Sequence, residues 1–341
     1  MKAVVVHGPK DLRIDEVADP VCGPVDVLVR MEWGGICGSD VAYWRSGISG
    51  TAVLRDPLIL GHEVAGYVAE VGSEVDGVEV GAKVALYPAS LVGDYQVAED
   101  MRARTNLWPE VRYFGSAAFL PHEQGGFSKF RIVRPDQLRF LPQGVTTKAG
   151  ALAEPFAVAI HAVRRAGDVA DKTVLVNGAG PIGSLAVAAA KAYGARHVTV
   201  ADLSEQALDI ARAMGADCTI NILQGQELPQ DVDIAIEASG APAAIGGVIS
   251  ATRRGGVVVQ VGNLPGGDVS ATLGNIVTRE IEYRGSYRFA DEMDEAIRLL
   301  DGVVDISPLQ THEFDILQAC EAFDVAADRS SGSSKVMLKL S

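Results

Sequence analysis

The chain has 341 residues, of which 48% are hydrophobic and 22% charged, and its formal net charge is −14 at pH 7. This composition is typical of a globular protein, and the length allows two domains, each with its own core. The strong negative charge argues against nucleic acid or an anionic membrane surface as a partner. No apolar run approaches the length of a membrane span and no signal peptide is recognisable, so we expect no membrane partner and a cytoplasmic location.

The four cysteines have no paired spacing, and they are Cys22, Cys37, Cys218 and Cys320. The pattern therefore predicts neither a disulfide framework nor a cysteine-rich zinc finger. Unpaired cysteines fit the reducing cytoplasm.

The first 90 residues, approximately, have the pattern of an all-β domain. Alternating or β-branched runs, separated by Gly, Pro and Asp, predict strands at 3–6, 25–31, 64–71 and 83–86, and a later one at 129–133. Short strands at such intervals indicate a small barrel-like domain. Residues 91–118 are irregular and receive no assignment.

From about residue 146 predicted strands alternate with predicted helices. The strands are expected at 174–177, 197–201, 218–222, 232–238 and 256–262, and the helices at 149–165, 184–193, 204–214 and 241–253. This alternation predicts an α/β fold with a doubly wound parallel sheet. An amphipathic helix at 291–300 and a strand at 334–340 are expected to return to the first domain. The predicted domains are therefore 1–145 with 282–341, and 146–281.

A glycine-rich turn follows the first predicted strand of the second domain. Its sequence, Gly178-Ala-Gly180-Pro181-Ile182-Gly183, lies between a strand and an Ala-rich helix, as the dinucleotide-binding motif requires. The first glycine makes the turn, the second admits a pyrophosphate, and the third allows close packing of helix and strand.

The next predicted strand ends at Asp202, with no arginine beside it. An acidic side chain at this point accepts hydrogen bonds from ribose hydroxyls and repels a 2′-phosphate, so the sequence predicts NAD rather than NADP. The alternative is that Asp202 only caps the helix that begins near Ser204.

A thiol, an imidazole and two carboxylates occur beside glycines or at a predicted helix start, at Cys37, His62, Glu63 and Glu154. A catalytic zinc takes about three protein ligands, and Cys37, His62 and one glutamate satisfy that number. Zinc lowers the pKa of a bound alcohol and polarises a carbonyl, which suits hydride removal by NAD. Because the ligands are scattered, each also has an ordinary interpretation: a buried cysteine, a hydrogen-bonded histidine and glutamates in ion pairs.

The sequence resembles the zinc-dependent medium-chain dehydrogenases over nearly its whole length, and most closely the branch of sorbitol and L-idonate 5-dehydrogenases. The resemblance is carried by Gly34-Gly-Ile-Cys37-Gly-Ser39-Asp40, Leu60-Gly-His62-Glu63, Gly125-Gly-Phe127, Glu154-Pro155, Gly178–Gly183 and Val261-Gly-Asn263. It implies a GroES-like, β-rich catalytic domain and a Rossmann NAD-binding domain.

By position, the resemblance assigns Cys37, His62 and Glu63 as zinc ligands. Glu154 matches the residue that holds the zinc-bound water or joins the metal. Because His62 and Glu63 are adjacent, both face one ion only if the backbone turns there, for which Gly61 is suited. Glu63 and Glu154 therefore remain alternatives for the third ligand.

The resemblance also assigns catalytic and cofactor-binding roles. Ser39 matches a residue whose hydroxyl bonds the reacting oxygen and relays its proton; Tyr43 and Glu154 are the other catalytic candidates. Besides the three glycines of the turn, the expected NAD contacts are Pro181, Ile182, Asp202, Val261 and Gly262. Arg288 is expected near the nicotinamide ribose. The alternative for Val261 and Gly262 is an ordinary strand end.

Many relatives carry a second zinc, held by four cysteines on a lobe that falls at roughly 90–106 in this chain. No cysteine lies between Cys37 and Cys218. We therefore expect one zinc per chain, and a lobe held by apolar contacts of Leu91, Tyr95, Leu107 and Trp108.

Segments 112–117, 121–127 and 285–289 resemble the idonate 5-dehydrogenases more than general polyol dehydrogenases. The expected reaction is oxidation of a secondary hydroxyl by NAD, with L-idonate giving 5-keto-D-gluconate. A sugar acid needs a cation for its carboxylate, and the candidates are Arg112, His122, Lys129 and Arg288. Tyr43, Phe114 and Glu154 are expected to line the pocket.

Other functions stay open at this point. They are a polyol dehydrogenase for sorbitol, xylitol or galactitol, a zinc-free quinone or enone reductase, and a non-catalytic nucleotide-binding protein. The resemblance also suggests a homodimer or homotetramer, paired through the sheet edge near 274–287.

Overall fold

The structure, a computed structural model, describes residues 1–93 and 96–341. The chain forms two compact units: unit 1 is Met1–Glu154, Met293–Gly302 and Gln310–Ser341, and unit 2 is Pro155–Glu292 and Val303–Leu309. In the described part of the chain, no helix is long and apolar enough to cross a membrane.

Unit 1 is rich in short strands. They are β1 (Lys2–Gly8), β2 (Asp11–Glu16), β3 (Val27–Gly35), β4 (Ile48–Ser49), β5 (Ala52–Val53), β6 (Leu58–Ile59), β7 (Glu63–Val71), β8 (Lys83–Leu86), β9 (Ala89–Leu91), β10 (Val111–Tyr113), β11 (Phe130–Val133), β12 (Leu138–Phe140), β19 (Gln310–Asp315) and β20 (Lys335–Lys339). The main sheet has the order β12-β8-β7-β3-β20-β19, with β11 also paired to β3. The last strand of the chain therefore lies beside β3, and its Met337 is opposite Gly35.

The prediction that the first 90 residues are all β is wrong at α1 (Gly38–Ser46). The short sequence has little amphipathic periodicity, so the helix gives no clear signal. Its ends are fixed by capping instead: the Asp40 carboxylate accepts the Cys37 backbone N–H at 2.9 Å, and Gly47 ends the helix with φ +71°. Two further helices, α2 (Thr147–Gly150) and α9 (Ala319–Ala327), also belong to unit 1.

Unit 2 contains a six-stranded parallel sheet. Its strands are β13 (Thr173–Asn177), β14 (His197–Asp202), β15 (Cys218–Asn221), β16 (Val232–Glu237), β17 (Thr252–Gln260) and β18 (Glu282–Gly285), and its helices are α3 (Ala153–Ala166, from Pro155 onward), α4 (Pro181–Ala192), α5 (Glu205–Ala213), α6 (Pro242–Ala251) and α7 (Gly274–Thr278). The next helix, α8 (Glu292–Leu300), belongs to unit 1 from Met293 onward. The order is β15-β14-β13-β16-β17-β18, which is that of a doubly wound dinucleotide-binding fold. The predicted fold class is confirmed.

The predicted domain boundaries differ from the two units. Residues 282–285 were predicted in the first domain, but they form β18, the sixth parallel strand, which pairs with β17. Residues 147–150 were predicted in the second, but α2 packs against β3, β7 and β8 of unit 1. Both segments are too short to show a clear period, so only tertiary contacts decide where they belong.

The lobe near residue 100 is not held as predicted. Leu91 is 43% and Leu107 37% exposed, so neither contributes much apolar burial. Pairing of β9 with β10 and a hydrogen bond from the Trp108 indole N–H to the Met101 carbonyl, 3.1 Å, hold it instead. Tyr95 lies outside the described residues.

Candidate metal site and dinucleotide site

Three donor side chains meet in unit 1. Cys37 lies directly before α1, and His62 and Glu63 lie at the start of β7; one ligand atom from each is within 4.8 Å of the others. Gly61 makes this possible, because its φ of +95° turns the chain, and a Cβ there would lie 2.2 Å from the Phe127 ring. Two adjacent residues can therefore face one point.

A buried carboxylate joins the two segments that carry these donors. Asp40 is 0% exposed, and its oxygens accept the backbone N–H groups of Cys37 at 2.9 Å and Gly61 at 3.1 Å. Burial alone would lower the pKa of His62, but the negative charges of Cys37 and Asp40 outweigh it and raise this pKa to about 10. The negative field thus favours a cation at this point. Sequence reasoning quoted Asp40 in a motif but assigned it no role.

One oxygen of Glu63 fits a metal ion. Glu63 is buried, and Oε1 is bonded to the ammonium group of Lys335, which is buried too. Oε2 is buried and has no hydrogen-bond partner in the described structure. Gly35 leaves room for it, since a Cβ there would lie 2.4 Å from Oε2. A buried oxygen without a partner, beside sulfur and imidazole, completes the kind of donor set that zinc prefers.

Glu154 is close to this cluster but is held differently. It lies in the first turn of α3 and is 5% exposed, and the Tyr113 hydroxyl donates to Oε1 at 2.5 Å. Burial raises the pKa of this carboxyl group. The Tyr113 ring also packs edge-on against His62, with centroids 5.7 Å apart. The three-donor group that the structure brings together contains Glu63 and not Glu154.

Sequence reasoning missed Lys335 and Tyr113. A lysine that opens an otherwise apolar run, Lys335-Val-Met-Leu, was a usable signal, because a lysine on a buried strand needs a partner. Tyr113 had no comparable signal, since an aromatic residue on a short strand is ordinary core.

The structure places the predicted catalytic hydroxyls in different surroundings. Ser39 is half-buried in the first turn of α1, two residues after Cys37. Tyr43 is 3% exposed and belongs to the hydrophobic core, and its hydroxyl accepts the Ala117 N–H at 3.0 Å. The Tyr43 hydroxyl is therefore bonded to backbone, whereas Ser39 lies beside a candidate ligand.

Arg112 and Phe114 do not join the donor cluster. Strand β10 carries Arg112 next to Tyr113, and neighbouring residues of a strand face opposite sides. Arg112 donates to the Pro121 carbonyl at 2.8 Å, and Phe114 lies beneath the Arg131 guanidinium, 4.2 Å from its ring centre. Both line a separate cleft of about 220 Å³. Arg112 and Phe114 thus lie apart from the donor cluster, and their role toward the substrate stays a prediction.

His122 and Lys129, the other candidates for holding a carboxylate, also have contacts outside the donor cluster. His122 Nε2 accepts the backbone N–H of Arg55 at 3.0 Å, and Nδ1 bonds the Phe119 carbonyl at 2.8 Å, as in a neutral imidazole. Lys129 is exposed and lies over the Phe130 ring.

In unit 2 the three glycines of the turn have three different surroundings. Gly178 has φ +100° and would place a Cβ 2.6 Å from the Ser239 nitrogen. A Cβ at Gly183 would lie 1.8 Å from the Gly178 carbonyl oxygen, but one at Gly180 would meet nothing within 4 Å. Gly180 precedes α4, which begins at Pro181. This open position at a helix N-terminus suits a pyrophosphate.

Asp202 ends β14, and both of its oxygens accept backbone hydrogen bonds. Oδ2 accepts the N–H of Ala179 at 2.6 Å, and Oδ1 accepts those of Leu203 at 2.7 Å and Ser204 at 2.8 Å. It therefore ties the glycine turn to the start of α5. The carboxylate has remaining acceptor capacity, so this arrangement is compatible with ribose binding as well as with capping.

The remaining predicted cofactor residues lie at strand ends of unit 2. The N–H groups of Val261 and Gly262 donate to the Glu237 carbonyl at 2.9 and 2.8 Å, directly after β17. Arg288 is half-buried with φ +50°, and its guanidinium lies over the Tyr287 ring. Ile182 is in the first turn of α4.

Metal-binding side chains in one unit and a dinucleotide turn in the other define a class of protein, the zinc-dependent dehydrogenases. Residues 23–143 match the alcohol dehydrogenase GroES-like domain, and residues 181–302 match the zinc-binding dehydrogenase domain. Sorbitol dehydrogenase of Bos taurus is 37% identical over 350 residues, covering 99% of this chain and 95% of that protein.

Two solved structures are similar along the whole chain. L-Idonate 5-dehydrogenase of Escherichia coli has a TM-score of 0.92 and 34% identity, covering 99% of this chain and 97% of that one. A zinc-binding dehydrogenase of Sinorhizobium meliloti bound to NADP has a TM-score of 0.88 and 28% identity, covering 99% and 98%. The chain belongs to the zinc-dependent medium-chain dehydrogenase family, in its sorbitol dehydrogenase branch. It is an enzyme whose cofactors are zinc and NAD, which confirms those predictions.

Proposed function

We propose that this enzyme oxidises a secondary hydroxyl group of a sugar acid or polyol, and that its substrate is L-idonate, converted to 5-keto-D-gluconate. The observation that carries the chemistry is the cluster of Cys37, His62 and Glu63, with one buried Glu63 oxygen left without a partner. The choice of substrate is supported by the similarity to L-idonate 5-dehydrogenase, at 34% identity and a TM-score of 0.92.

In this proposal Cys37, His62 and Glu63 hold the zinc, and Glu154 lies next to it. When bound, zinc lowers the pKa of an alcohol and polarises the product carbonyl. Ser39, two residues from Cys37, accepts the proton of the substrate hydroxyl through its own hydroxyl group and passes it on. The substrate thus loses a proton to this relay and a hydride to NAD, and leaves as a ketone.

In unit 2 we propose that Gly178, Gly180 and Gly183 admit the pyrophosphate and that Asp202 bonds the adenosine ribose. Bound there, NAD would supply the group that takes up the hydride. The negative charge of Asp202 disfavours the extra phosphate of NADP. Arg288 stays the predicted contact for the nicotinamide ribose and for the substrate carboxylate, since Arg112 is bonded to backbone in a separate cleft.

A neutral polyol is the second candidate substrate. Sorbitol dehydrogenase of Bos taurus is 37% identical over nearly the full chain. Arg112, His122 and Lys129 are committed to backbone groups or exposed, which leaves a carboxylate fewer partners and favours this candidate.

We also propose a homodimer or homotetramer. β18 is the outer strand of the parallel sheet, so its free edge can pair with the same strand of a second copy across a two-fold axis. The cytoplasm remains our proposed location, since the four cysteines are free.

The test combines zinc analysis with NAD reduction on L-idonate, sorbitol, xylitol and galactitol. We expect one zinc per chain and kcat/KM highest for L-idonate. Turnover of neutral polyols only, with one zinc present, would keep the chemistry and replace the substrate. Absence of zinc from the active enzyme would overturn the proposed chemistry.

A further inference from the structure

Glu63 of the donor cluster and Glu154 near it are both buried carboxylates, and each has one oxygen held by a different kind of hydrogen-bond donor. Glu63 Oε1 is bonded to the ammonium of Lys335, whereas Glu154 Oε1 accepts the neutral hydroxyl of Tyr113. Both side chains are at most 5% exposed. The carboxylates are therefore chemically alike but differently restrained.

The last strand of the chain places Lys335 beside Glu63. Lys335 opens β20, and the Ile36 N–H donates to the Val336 carbonyl at 3.0 Å, which fixes β20 against the segment that leads to Cys37. Its side chain is 3% exposed, and Nζ also lies 3.4 Å from the Ile36 carbonyl oxygen. A lysine at this depth is costly to bury unless its charge is matched.

The ion pair leaves Glu63 in a defined orientation. With Oε1 bonded to Lys335, Oε2 is buried and has no hydrogen-bond partner in the part of the chain that the structure describes, and Gly35 leaves space beside it. One carboxylate oxygen of Glu63 lies within 4.8 Å of a donor atom of Cys37 and of one of His62. A purely structural ion pair would not require one oxygen of the carboxylate to stay unsatisfied.

We propose that Lys335 is a positioning residue of the metal centre: its ammonium holds Oε1 of Glu63, so that Oε2 binds the metal with Cys37 and His62, while Tyr113 restrains Glu154. The identity of the metal rests on the proposed function. The role of Lys335 is tested by measuring metal binding rather than turnover.

The first experiment measures zinc affinity of the holoenzyme by competition with a chromophoric chelator. We expect Lys335→Met to weaken zinc binding by about 10- to 100-fold, the usual effect of losing a residue that orients a ligand. Lys335→Arg, which keeps a cation, should restore most of the affinity. Lys339→Met is the matched control, because Lys339 is an exposed lysine on the same strand.

The second experiment uses Co²⁺ in place of zinc, since its visible spectrum reports the number and type of ligands. Lys335→Met should change the d–d bands, and Lys335→Arg should retain the wild-type bands. In the Lys335→Met background, Tyr113→Phe should recover part of the lost affinity, because it frees Glu154 to bind. Tyr67→Phe is the control for loss of a tyrosine hydroxyl elsewhere in unit 1.

Wild-type zinc affinity and a wild-type Co²⁺ spectrum in Lys335→Met would overturn the proposal and make the ion pair purely structural. If Lys335→Met does not fold, Lys335→Gln removes the charge but keeps a hydrogen-bond donor, and the same two readouts decide. Failure of L-idonate as substrate leaves these outcomes unchanged, whereas a wild-type protein that binds no zinc contradicts the proposed function itself.

Discussion

Glu63 in unit 1 and Glu237 in unit 2 are both buried carboxylates, but only one is fully bonded. Glu237 is 0% exposed, and its oxygens accept hydrogen bonds from Asn177 at 3.1 Å, from the backbone of Ser239 and Gly240 at 2.9 and 3.1 Å, and from Gln260 at 2.6 Å. One oxygen of Glu63 is bonded to Lys335, and the other has no hydrogen-bond partner among residues 1–93 and 96–341.

Burial alone therefore does not identify a carboxylate that binds a ligand. Glu237 uses its charge to tie the carboxyl ends of three strands, β13, β16 and β17, together, so its role is structural. Glu63 carries a buried oxygen without a hydrogen-bond partner among the described residues, which costs free energy unless a ligand compensates for it.

Cys37→Ala should abolish turnover by emptying the metal site, while NAD binding by unit 2 is retained. Sulfur is the strongest zinc donor of the three, and a methyl group cannot replace it. Metal analysis should fall from one zinc per chain to nearly none, and NADH fluorescence should show unchanged affinity. Cys218→Ala, at an exposed cysteine, should change neither. Normal zinc content in Cys37→Ala would remove Cys37 from the site.

Gly183→Ala and Gly180→Ala make the same change in one turn and should have opposite consequences. The new Cβ of Gly183→Ala would overlap the Gly178 carbonyl oxygen at 1.8 Å, so we expect a loss of about 3 kcal/mol in stability. The new Cβ of Gly180→Ala has no neighbouring atom within 4 Å, so the melting temperature should stay unchanged. NAD should bind about tenfold more weakly to this variant. Unchanged NAD affinity in Gly180→Ala would place the pyrophosphate elsewhere.

These two regions also differ in how far the sequence predicts them. The glycine turn is contiguous, and Gly178, Gly180 and Gly183 act through their own backbone, so local spacing was sufficient. Five of the six parallel strands were predicted for the same reason, because long apolar runs alternate with helices. β18 was missed, since it has only four residues, none of them fully buried, and therefore shows no period.

The metal site could be predicted only in part. Cys37 is far in sequence from the other two ligands, and His62 and Glu63 are neighbours, which on a regular strand would face opposite sides. Only the resemblance to a family assigned all three to one site. The turn at Gly61 was inferred from the requirement that His62 and Glu63 face one point. Lys335 comes from the other end of the chain, and no local pattern connects it to Glu63.

Glu237→Gln and Glu63→Gln test the central distinction directly. The amide of Gln at 237 would face donors that now bond a carboxylate, so unit 2 should lose about 2–3 kcal/mol of stability with zinc content unchanged. Glu63→Gln keeps an oxygen for Lys335 but supplies a poorer ligand, so zinc affinity should fall with a smaller change in stability. Chemical denaturation and chelator competition measure the two effects. Equal zinc loss in both variants would contradict the distinction.

Asp202→Ala should reduce the preference for NAD over NADP by about tenfold, the effect of losing hydrogen bonds to a charged group. The measurement is the ratio of kcat/KM values for the two cofactors. Asp202 also accepts the N–H groups of Ala179 and Ser204, so a modest loss of stability should accompany the change. An unchanged ratio would show that Asp202 only caps the turn.

Glu292 is a third buried carboxylate, and it is fully bonded like Glu237. Oε1 bonds His161 at 2.7 Å, and Oε2 accepts the N–H groups of Ala290 at 2.8 Å and Asp291 at 3.1 Å. Burial alone would raise the pKa of Glu292, but the hydrogen bond and charge of His161 lower this pKa from 4.5 to about 2. Its stabilisation is therefore present above about pH 4.5 and is lost as the pH falls toward 2.

Glu292→Gln should consequently destabilise the protein at pH 6, by about 1.5 kcal/mol, and much less at pH 3, where the wild-type protein has itself lost most of this contribution. Thermal unfolding at a series of pH values measures the gap between the two proteins. Glu227→Gln, at an exposed glutamate, is the control and should show no such dependence. A gap that stays constant from pH 6 to pH 3 would mean that the bonded carboxylate contributes through packing rather than charge. At pH 6 the zinc content of Glu292→Gln should equal that of the wild type, because Glu292 and His161 belong to unit 2, whereas Cys37, His62 and Glu63 belong to unit 1.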